Sequence, residues 1–478
     1  MGGYAEGEKG PGFPWLGCLG ALATLVGLGL GVGSFASGHA VEAHQQEEAA
    51  LFAQLAADGL AVSPEALIPP PLPANDLDRL QSVLTRVEQL PSDEQAALEL
   101  YRLEAFAKPK EEVFAGSDQE QQQLDDPALW KEATQRVQET LKEIGPDLDL
   151  VLQQPVVSFD VDWSKGFTIE LPHLMPIKQL TLALCGRAIL RVRQGRTAEG
   201  WRDLARAAEL QARHREPTLI SYLVKVACMG IVIDGVQKAL EYGPPPPDAE
   251  WNRLDSALIQ LDDPSNVTYA FQSELHCATS GLPLDVSQLG SWMTQEFGGM
   301  GVAYRVPVFG RWKWSEHRLE YMRLMAEAVR ATELEPLQAK DALLRLEQGV
   351  KGKGAITQML FPALVKVVDR DLQHRASLRM ARMGMHLARA VGEGELPREL
   401  PDPLLGDPTS PTSRPIQWRR EGPRHGRLWC VSGNGSDEGG EYTEGTSPAS
   451  PDQIFDVRLP GAPARPTQAE AAQAGQVR

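Results

Sequence analysis

The chain is poor in the residues from which metal clusters, disulfide frameworks and nucleic-acid contacts are built. Only five of its 478 residues are cysteines. They are widely spaced without a Cys-x-x-Cys pair, which predicts neither a zinc cluster nor a dense disulfide framework. The net charge is −17, and the densest group of bases, between residues 414 and 427, is interrupted by proline and glutamate. This balance argues against a nucleic-acid partner.

Familiar catalytic motifs are also missing from the sequence. It contains no phosphate-binding loop, no nucleophile elbow and no His-Glu-x-x-His pair. The sequence therefore predicts no recognised class of enzyme, and no cofactor is expected from it.

The longest uncharged apolar stretch, Trp15 to Ala36, predicts a transmembrane helix. At about 1.5 Å per residue its 22 residues span ~33 Å, enough for a hydrocarbon core of about 30 Å. Lys9 precedes the stretch and acidic residues follow it. The positive-inside rule then places residues 1–14 in the cytoplasm and exports the body from a single-pass anchor in the cell membrane. A cleaved signal peptide is the alternative, because small residues suited to cleavage follow the stretch.

The rest of the chain divides into regions of different composition. Residues 37–76 combine a polar helix with a proline-rich spacer, and residues 77–392 have the three-to-four-residue apolar spacing of a helical body. Residues 393–460 are rich in proline and glycine with short apolar runs, which predicts a small β-rich module. Residues 461–478 have low hydrophobicity and are predicted to be disordered.

Two segments of the body give the clearest structural expectations. Ile177 to Gln194 and Thr197 to His214 predict an antiparallel helical hairpin, whose small residues follow the spacing of a single tetratricopeptide repeat. Residues 156–171 alternate apolar and polar side chains around a glycine turn, which predicts a short β-hairpin or two extended edges. The expected fold is mainly α: a helical-hairpin body with one tetratricopeptide-like unit, a small β-rich carboxy-terminal module and an amino-terminal transmembrane helix.

Four short runs in the carboxy-terminal module share the layout of a known ending. They are Asp407-Pro408, Arg414 to Gly422, Trp429 to Gly440 and Asp456 to Pro460. This ending resembles that of the major pseudopilins of type II secretion, in which a strand meander closes on a loop rich in aspartate and glycine. Processing as a pilin is not expected, because Pro14 and Gly17 break the prepilin pattern.

The pseudopilin resemblance implies a calcium site in the last loop. The matching acidic and amide positions are Asn434, Asp437, Asp452 and Asp456. Hard oxygen ligands suit this ion, although an insert over residues 442–451 separates them here. The alternative is a solvated turn in which these residues serve backbone geometry.

A group of bacterial single-pass membrane-anchored proteins is similar to the chain at further positions. These are Asp162 to Gly166, Leu171 to Leu174 and Glu216 to Ile220. The chain resembles this group, which is defined by its sequence and not by a known activity.

Together these features predict a non-enzymatic envelope protein whose helical body docks unknown protein partners. Two alternatives stay open: an envelope enzyme of the hydrolytic type, and a pseudopilin-related secretion component. Asp160, Asp162 and Glu170 are carboxylates suited to acid–base work, but a solvated face is the preferred interpretation. His173 is interpreted as a residue at the start of a helix. Clustered His, Asp or Glu in a cavity of the body would favour the enzyme, and a dry apolar interior would exclude it.

Overall fold

The computed structural model describes residues 39–60, 67–90, 127–281, 310–350, 353, 357–358, 361–400, 405–410, 414–431, 437, 439–440 and 452–463. The expected transmembrane segment 15–36 and most of the expected disordered tail, 461–478, lie outside these residues.

The described part of the chain is mainly helical. Its helices are α1 (39–57), α2 (Ala74–Glu88), α3 (Pro127–Val151), α4 (Leu174–Arg193), α5 (Thr197–Arg213), α6 (Leu219–Tyr242), α7 (Asp248–Leu261), α8 (Ser265–Gly281), α9 (Gly310–Thr332), α10 (Pro336–Gly349) and α11 (Pro362–Val391). The strands are β1 (Gln417–Gly422), β2 (His425–Cys430) and β3 (Gln453–Arg458). The expectation of a mainly α fold with a small β-rich region near the carboxy terminus is confirmed.

The predicted antiparallel hairpin is present as α4 and α5. Gly195 closes it with φ of 78°, a backbone conformation in which a side chain is strained. Gly200 lets the two helices touch, because a Cβ atom there would lie 2.6 Å from Val192 Cγ2 and 2.7 Å from the carbonyl oxygen of Ala188. Two glycines therefore shape the closed end of the hairpin: Gly195 permits the turn, and Gly200 permits the close contact between the helices.

Helix α6 is apolar around most of its surface. Within the described residues it is the one helix whose length and composition would allow it to cross a membrane. Half of its most apolar 18-residue window is nevertheless buried inside the fold. Gly235 contributes to this packing, since a Cβ atom there would lie 2.7 Å from Leu204 Cδ2 on α5.

The strands form an antiparallel meander in the order β1-β2-β3, near the three positions expected from the sequence. The sheet packs on the helical body and shares its main hydrophobic core through Leu428, Phe455 and Val457. Phe455 lies against Gly384 on α11, where a Cβ atom would come within 2.6 Å of the ring.

The β-hairpin predicted over residues 156–171 is wrong. Trp163–Thr168 form a 3-10 helix, and Val157 pairs with a residue far along the chain, His214. The backbone N–H of Val157 donates to the carbonyl oxygen of Arg213 at 2.8 Å, and the N–H of Arg215 donates to that of Val157 at 3.0 Å. The apolar–polar alternation therefore marks one extended segment that packs on a single face, and its partner is remote in sequence.

The segment predicted to be a free spacer is bound to the body. The hydroxyl of Ser158 donates to the carbonyl oxygen of Pro70 at 2.7 Å, and the N–H of Leu72 donates to the carbonyl oxygen of Ser158 at 3.2 Å. Tyr269 on α8 donates its hydroxyl to the carbonyl oxygen of Leu67 at 2.6 Å. The proline-rich run is thus anchored on both sides.

Helix α1 also belongs to the body. Glu48 forms an ion pair with Arg318 on α9, and Asp58 pairs with Arg330 at 2.7 Å. Leu55 is fully buried in a second hydrophobic core, which α8 to α11 complete. The first core joins α2 to α7 with the sheet.

Candidate metal centre

Three buried ionisable side chains meet at the open end of the α4–α5 hairpin. His173 immediately precedes α4, His214 immediately follows α5, and Glu216 lies in the short connection to α6. The antiparallel pairing of α4 and α5 brings the start of one helix beside the end of the other. Their side chains are 9%, 1% and 0% exposed, respectively.

The polar atoms of these residues point into one small volume. His173 Nε2 lies 2.5 Å from Glu216 Oε1, and His214 Nε2 lies 3.4 Å from Glu216 Oε2. One ligand atom from each residue falls within 4.8 Å of the others. The contacts are close but their angles are poor, so both Nε2 atoms and Glu216 Oε1 lack a hydrogen bond within the described residues. Buried polar atoms left in this state are costly and call for a physical explanation.

Neighbouring groups fix the orientation of each of the three side chains. The ring of Phe159 stacks on His173 with centroids 3.9 Å apart and an interplanar angle of 14°. The bridge between Val157 and His214 holds the backbone of the second histidine.

The carboxylate is fixed from the α6 side. Ser221 donates its hydroxyl to Glu216 Oε2 at 2.7 Å. The N-cap residue of α6, Thr218, in turn donates to the Ser221 hydroxyl at 2.8 Å. Burial alone would raise the pKa of Glu216, but the positive charges of His214 and His173 beside it hold that pKa well below its usual range. Glu216 is therefore an anion, which is the form that binds metals.

Two imidazole nitrogens and one carboxylate match the ligand set of a first-row transition metal, with zinc the best candidate. Atoms bound tetrahedrally to one zinc ion at ~2.1 Å lie about 3.4 Å apart. The 3.4 Å contact between Glu216 and His214 equals that spacing, whereas the 2.5 Å contact between Glu216 and His173 would have to lengthen by about 0.9 Å to admit an ion. Three protein ligands also leave a fourth position for water or substrate, as in catalytic zinc sites.

Two clefts flank the three residues. The larger, of about 470 Å³, is lined by His173 and Phe159 together with Asp160, Asp162 and Glu170. The three carboxylates are exposed and share this cleft with one proposed ligand. Ser164 donates to Asp162 Oδ1 through both its backbone N–H and its hydroxyl. One oxygen of Asp162 is therefore already hydrogen-bonded within the protein.

The smaller cleft, of about 230 Å³, opens on the other side. His214, Glu216, Ser221, Tyr222, Lys225 and Tyr269 are among its lining residues. Burial and the nearby charge of Arg215 lower the pKa of Lys225 to about 8. Tyr222 donates its hydroxyl to Asp371 on α11, whose pKa burial raises to about 6.

The positions predicted to bind calcium lie elsewhere, in the sheet region, and Asn434 lies outside the described residues. Asp437 Oδ1 accepts hydrogen bonds from Trp429 Nε1 and the N–H of Gly439, both at 3.0 Å. Asp452 Oδ2 accepts from the N–H of Gly440 at 3.0 Å, and Asp456 Oδ1 accepts from Arg427 Nε at 3.1 Å. These carboxylates serve protein donors, and calcium binding here stays a prediction.

Sequence reasoning did not find the metal-ligand set. It placed His173 at a helix start, which is correct, but gave no role to His214 or Glu216. The two runs similar to the group of anchored proteins, Leu171 to Leu174 and Glu216 to Ile220, each contain one of the three ligands. Comparisons of the chain with protein-family models, with curated proteins and with solved structures give no match.

Proposed function

We propose that this chain is a zinc-dependent enzyme of the hydrolytic type, with its metal ion bound by His173, His214 and Glu216. One observation carries the proposal: three oriented ligand atoms within 4.8 Å of one another, buried between two clefts. The clustering of His and Glu in the body favours the hydrolytic enzyme, whereas a purely apolar interior would have argued against it.

The chemistry follows from the open coordination position. A zinc ion held by His173, His214 and Glu216 would lower the pKa of a bound water to about 7 and so supply a nucleophile at neutral pH. The larger cleft would hold the ester, amide or phosphoryl centre of the substrate beside it. Asp160 and Glu170, at the exposed wall of that cleft, are the carboxylates positioned to take up the water proton.

The proposed setting is the cell envelope. Residues 15–36 anchor the chain by a single transmembrane helix and the body is exported, with a cleaved signal peptide as the alternative. Within the body, we assign α4 and α5 to a single tetratricopeptide-like hairpin, because Gly195 and Gly200 occupy its small-residue positions.

A second candidate function is the docking of protein partners. Met175 and Ile220 are each 60% exposed, although both are large and apolar. They lie two and four residues from His173 and Glu216, so an interaction surface would border the metal centre. A role in secretion is part of this second candidate. It would use the pseudopilin-like ending, with calcium bound by Asn434, Asp437, Asp452 and Asp456.

The test of the main proposal is metal stoichiometry in the full chain, purified in detergent and dialysed after incubation with zinc. We expect one tightly bound zinc ion per chain, and loss of that ion in both His214→Ala and Glu216→Gln. His386→Ala is the matched control, because His386 packs edge-on against Trp251 on α7 with ring centroids 4.5 Å apart, outside the cluster.

Activity is then measured on ester, peptide and phosphate-ester substrates, with the zinc-loaded and the metal-free chain compared. Hydrolysis that zinc restores and His214→Ala abolishes would support the enzyme. A wild-type chain that retains no zinc after dialysis would reject the proposal.

A further inference from the structure

Three cationic side chains line the smaller cleft: Lys225 on α6, Arg213 at the end of α5, and Arg215 between two of the proposed metal ligands. Arg213 Nη1 donates to the carbonyl oxygen of Gln154 at 3.1 Å. Among the described residues, no carboxylate lies within ion-pair distance of Lys225 or Arg215. Arg215 instead places its guanidinium over the ring of Tyr269, 4.4 Å from the centroid.

Several buried or half-buried cations of this protein pair directly with a carboxylate. Arg375 and Arg379, for example, both bind the carboxylate of Asp262, at 3.1 Å and 2.7 Å. Taking a cation out of water is costly unless an anion compensates it. Lys225 is half-buried and receives only the longer-range charge of Glu216, while Arg215 is exposed beside it. An anion supplied from outside the chain would compensate Lys225 directly.

The other polar groups of the cleft are already engaged. Tyr222 donates to Asp371, Ser221 to Glu216, and Tyr269 to the carbonyl oxygen of Leu67. Asp263, the second acidic residue in the lining besides Glu216, accepts from the N–H of Ser265 at 2.8 Å. The donors that remain for a ligand are those of Lys225 and Arg215.

We propose that this cleft binds a small oxyanion, a phosphate or carboxylate group of the substrate, between Lys225 and Arg215. Its volume of about 230 Å³ is below the roughly 300–1,000 Å³ of pockets for drug-sized ligands, which suits a single anionic group. Arginine offers a planar fork of donors to such a group, and lysine offers a compact charge. The role as a substrate group rests on the proposed function, whereas anion binding itself does not.

The experiment titrates the metal-free full chain in detergent with inorganic phosphate and, separately, with acetate, using calorimetry. We expect saturable binding of one of the two anions, weakened at least tenfold in Lys225→Met and by less than threefold in Lys225→Arg. Lys142→Met is the matched control, because Lys142 is an exposed lysine of α3 that does not line the cleft. Tighter binding of phosphate would assign a phosphorylated substrate, and tighter binding of acetate a carboxylate.

Arg215→Gln provides the second variant, since Arg215 is exposed and its removal leaves the packing of the core intact. The inference is overturned if neither anion binds, or if the Lys225 and Arg215 variants bind as the wild type does. Zinc content measured on the same samples separates the two ideas. Zinc without anion binding contradicts only this inference, and anion binding without zinc contradicts only the metal centre.

Discussion

Two buried ionic clusters lie on the α4–α5 hairpin, one in its closed half and one at its open end, and they differ in how completely the central carboxylate is hydrogen-bonded. Arg187 Nη1 and Arg191 Nε of the first cluster lack a hydrogen bond among the described residues, but the oxygens of Asp203 do not. At the closed end, both oxygens of the fully buried Asp203 accept from Arg187, at 2.7 Å each. Arg191 adds a bond of 2.7 Å and Arg206 one of 3.2 Å. At the open end, His173, His214 and Glu216 approach one another without making good hydrogen bonds.

The difference separates a structural cluster from a binding site. A buried carboxylate surrounded by arginine donors has its charge compensated by the fold, so an added ligand has nothing to contribute. At the open end one carboxylate faces two imidazoles at 2.5 Å and 3.4 Å, so its charge is compensated either by a protonated histidine or by a cation bound between the three groups. The closed end therefore stabilises the hairpin, and the open end is prepared for an ion.

Removing the carboxylate at the closed end should have the largest effect on stability. Asp203→Ala leaves three arginines without their shared anion, so we expect the free energy of unfolding to fall by about 3–5 kcal/mol. Urea denaturation followed by circular dichroism measures the change. Asp248→Asn is the control, because Asp248 is an exposed partner of Arg389 and its loss should change stability little. Equal effects of the two substitutions would contradict a structural role for the closed end.

Zinc binding at the open end of the hairpin should have the next largest effect on the free energy of unfolding. Zinc that binds only the folded chain stabilises it by about 2.7 kcal/mol at a free concentration one hundred times the Kd. We expect the melting temperature to rise with zinc in the wild type and to stay constant in His214→Ala. A rise of the same size in both chains would place the bound zinc at another site.

A half-buried carboxylate, Glu274 on α8, sharpens the comparison through its pH dependence. Burial raises its pKa to about 7, against a smaller opposing effect of a hydrogen bond from the backbone of Leu219. Between the unfolded pKa near 4.5 and the folded value, the folded state binds more protons, so stability falls as pH rises. We expect the wild type to lose about 2 kcal/mol more than Glu274→Gln between pH 5 and pH 8. Denaturation at both pH values measures it.

The control for that prediction is Glu393→Gln, since Glu393 is exposed. The pH dependence of its unfolding should match that of the wild type. If Glu274→Gln also matched the wild type, the half-buried carboxylate would be compensated by groups other than the backbone of Leu219.

The smallest expected effect concerns the turn that sets the spacing of both clusters. Gly195→Ala places a side chain at φ of 78°, which should cost about 1 kcal/mol. Gly230→Ala on α6 is the matched substitution, since a Cβ atom there meets nothing within 4 Å and alanine favours a helix by roughly 0.5–1 kcal/mol. Opposite signs in thermal melts are expected, and equal signs would contradict the role of Gly195.

Local sequence patterns predicted the elements of the hairpin closely. The predicted helix from Ile177 to Gln194 is observed as Leu174–Arg193, and the one from Thr197 to His214 as Thr197–Arg213. Apolar spacing and the glycine turn carry this information locally. The three strands near the carboxy terminus were found for the same reason.

The candidate metal centre could not be predicted from local patterns, because its three residues lie far apart in the sequence. In the sequence, His173 precedes a complete helical hairpin and Glu216 follows it, so no short motif contains both residues. The segment that supports them misled the prediction: Val157 and Phe159 alternate as a hairpin strand would, yet Val157 pairs with His214. The antiparallel pairing of α4 and α5, predicted from the sequence, already implies that His173 lies near His214, but nothing local identifies that pair as candidate ligands.

The attachment of the proline-rich run has a mechanical consequence. Pro70 and Leu72 are bonded to Ser158, which stands between Val157, the partner of His214, and Phe159, the ring that covers His173. If residues 15–36 are embedded in a membrane, tension on the chain would act first on α1, and would reach this run and the support of His173 and His214 only after the contacts of α1 with α9 had broken. Displacement of the body from the lipid surface would then alter the geometry around the ion, so the affinity for metal would depend on load.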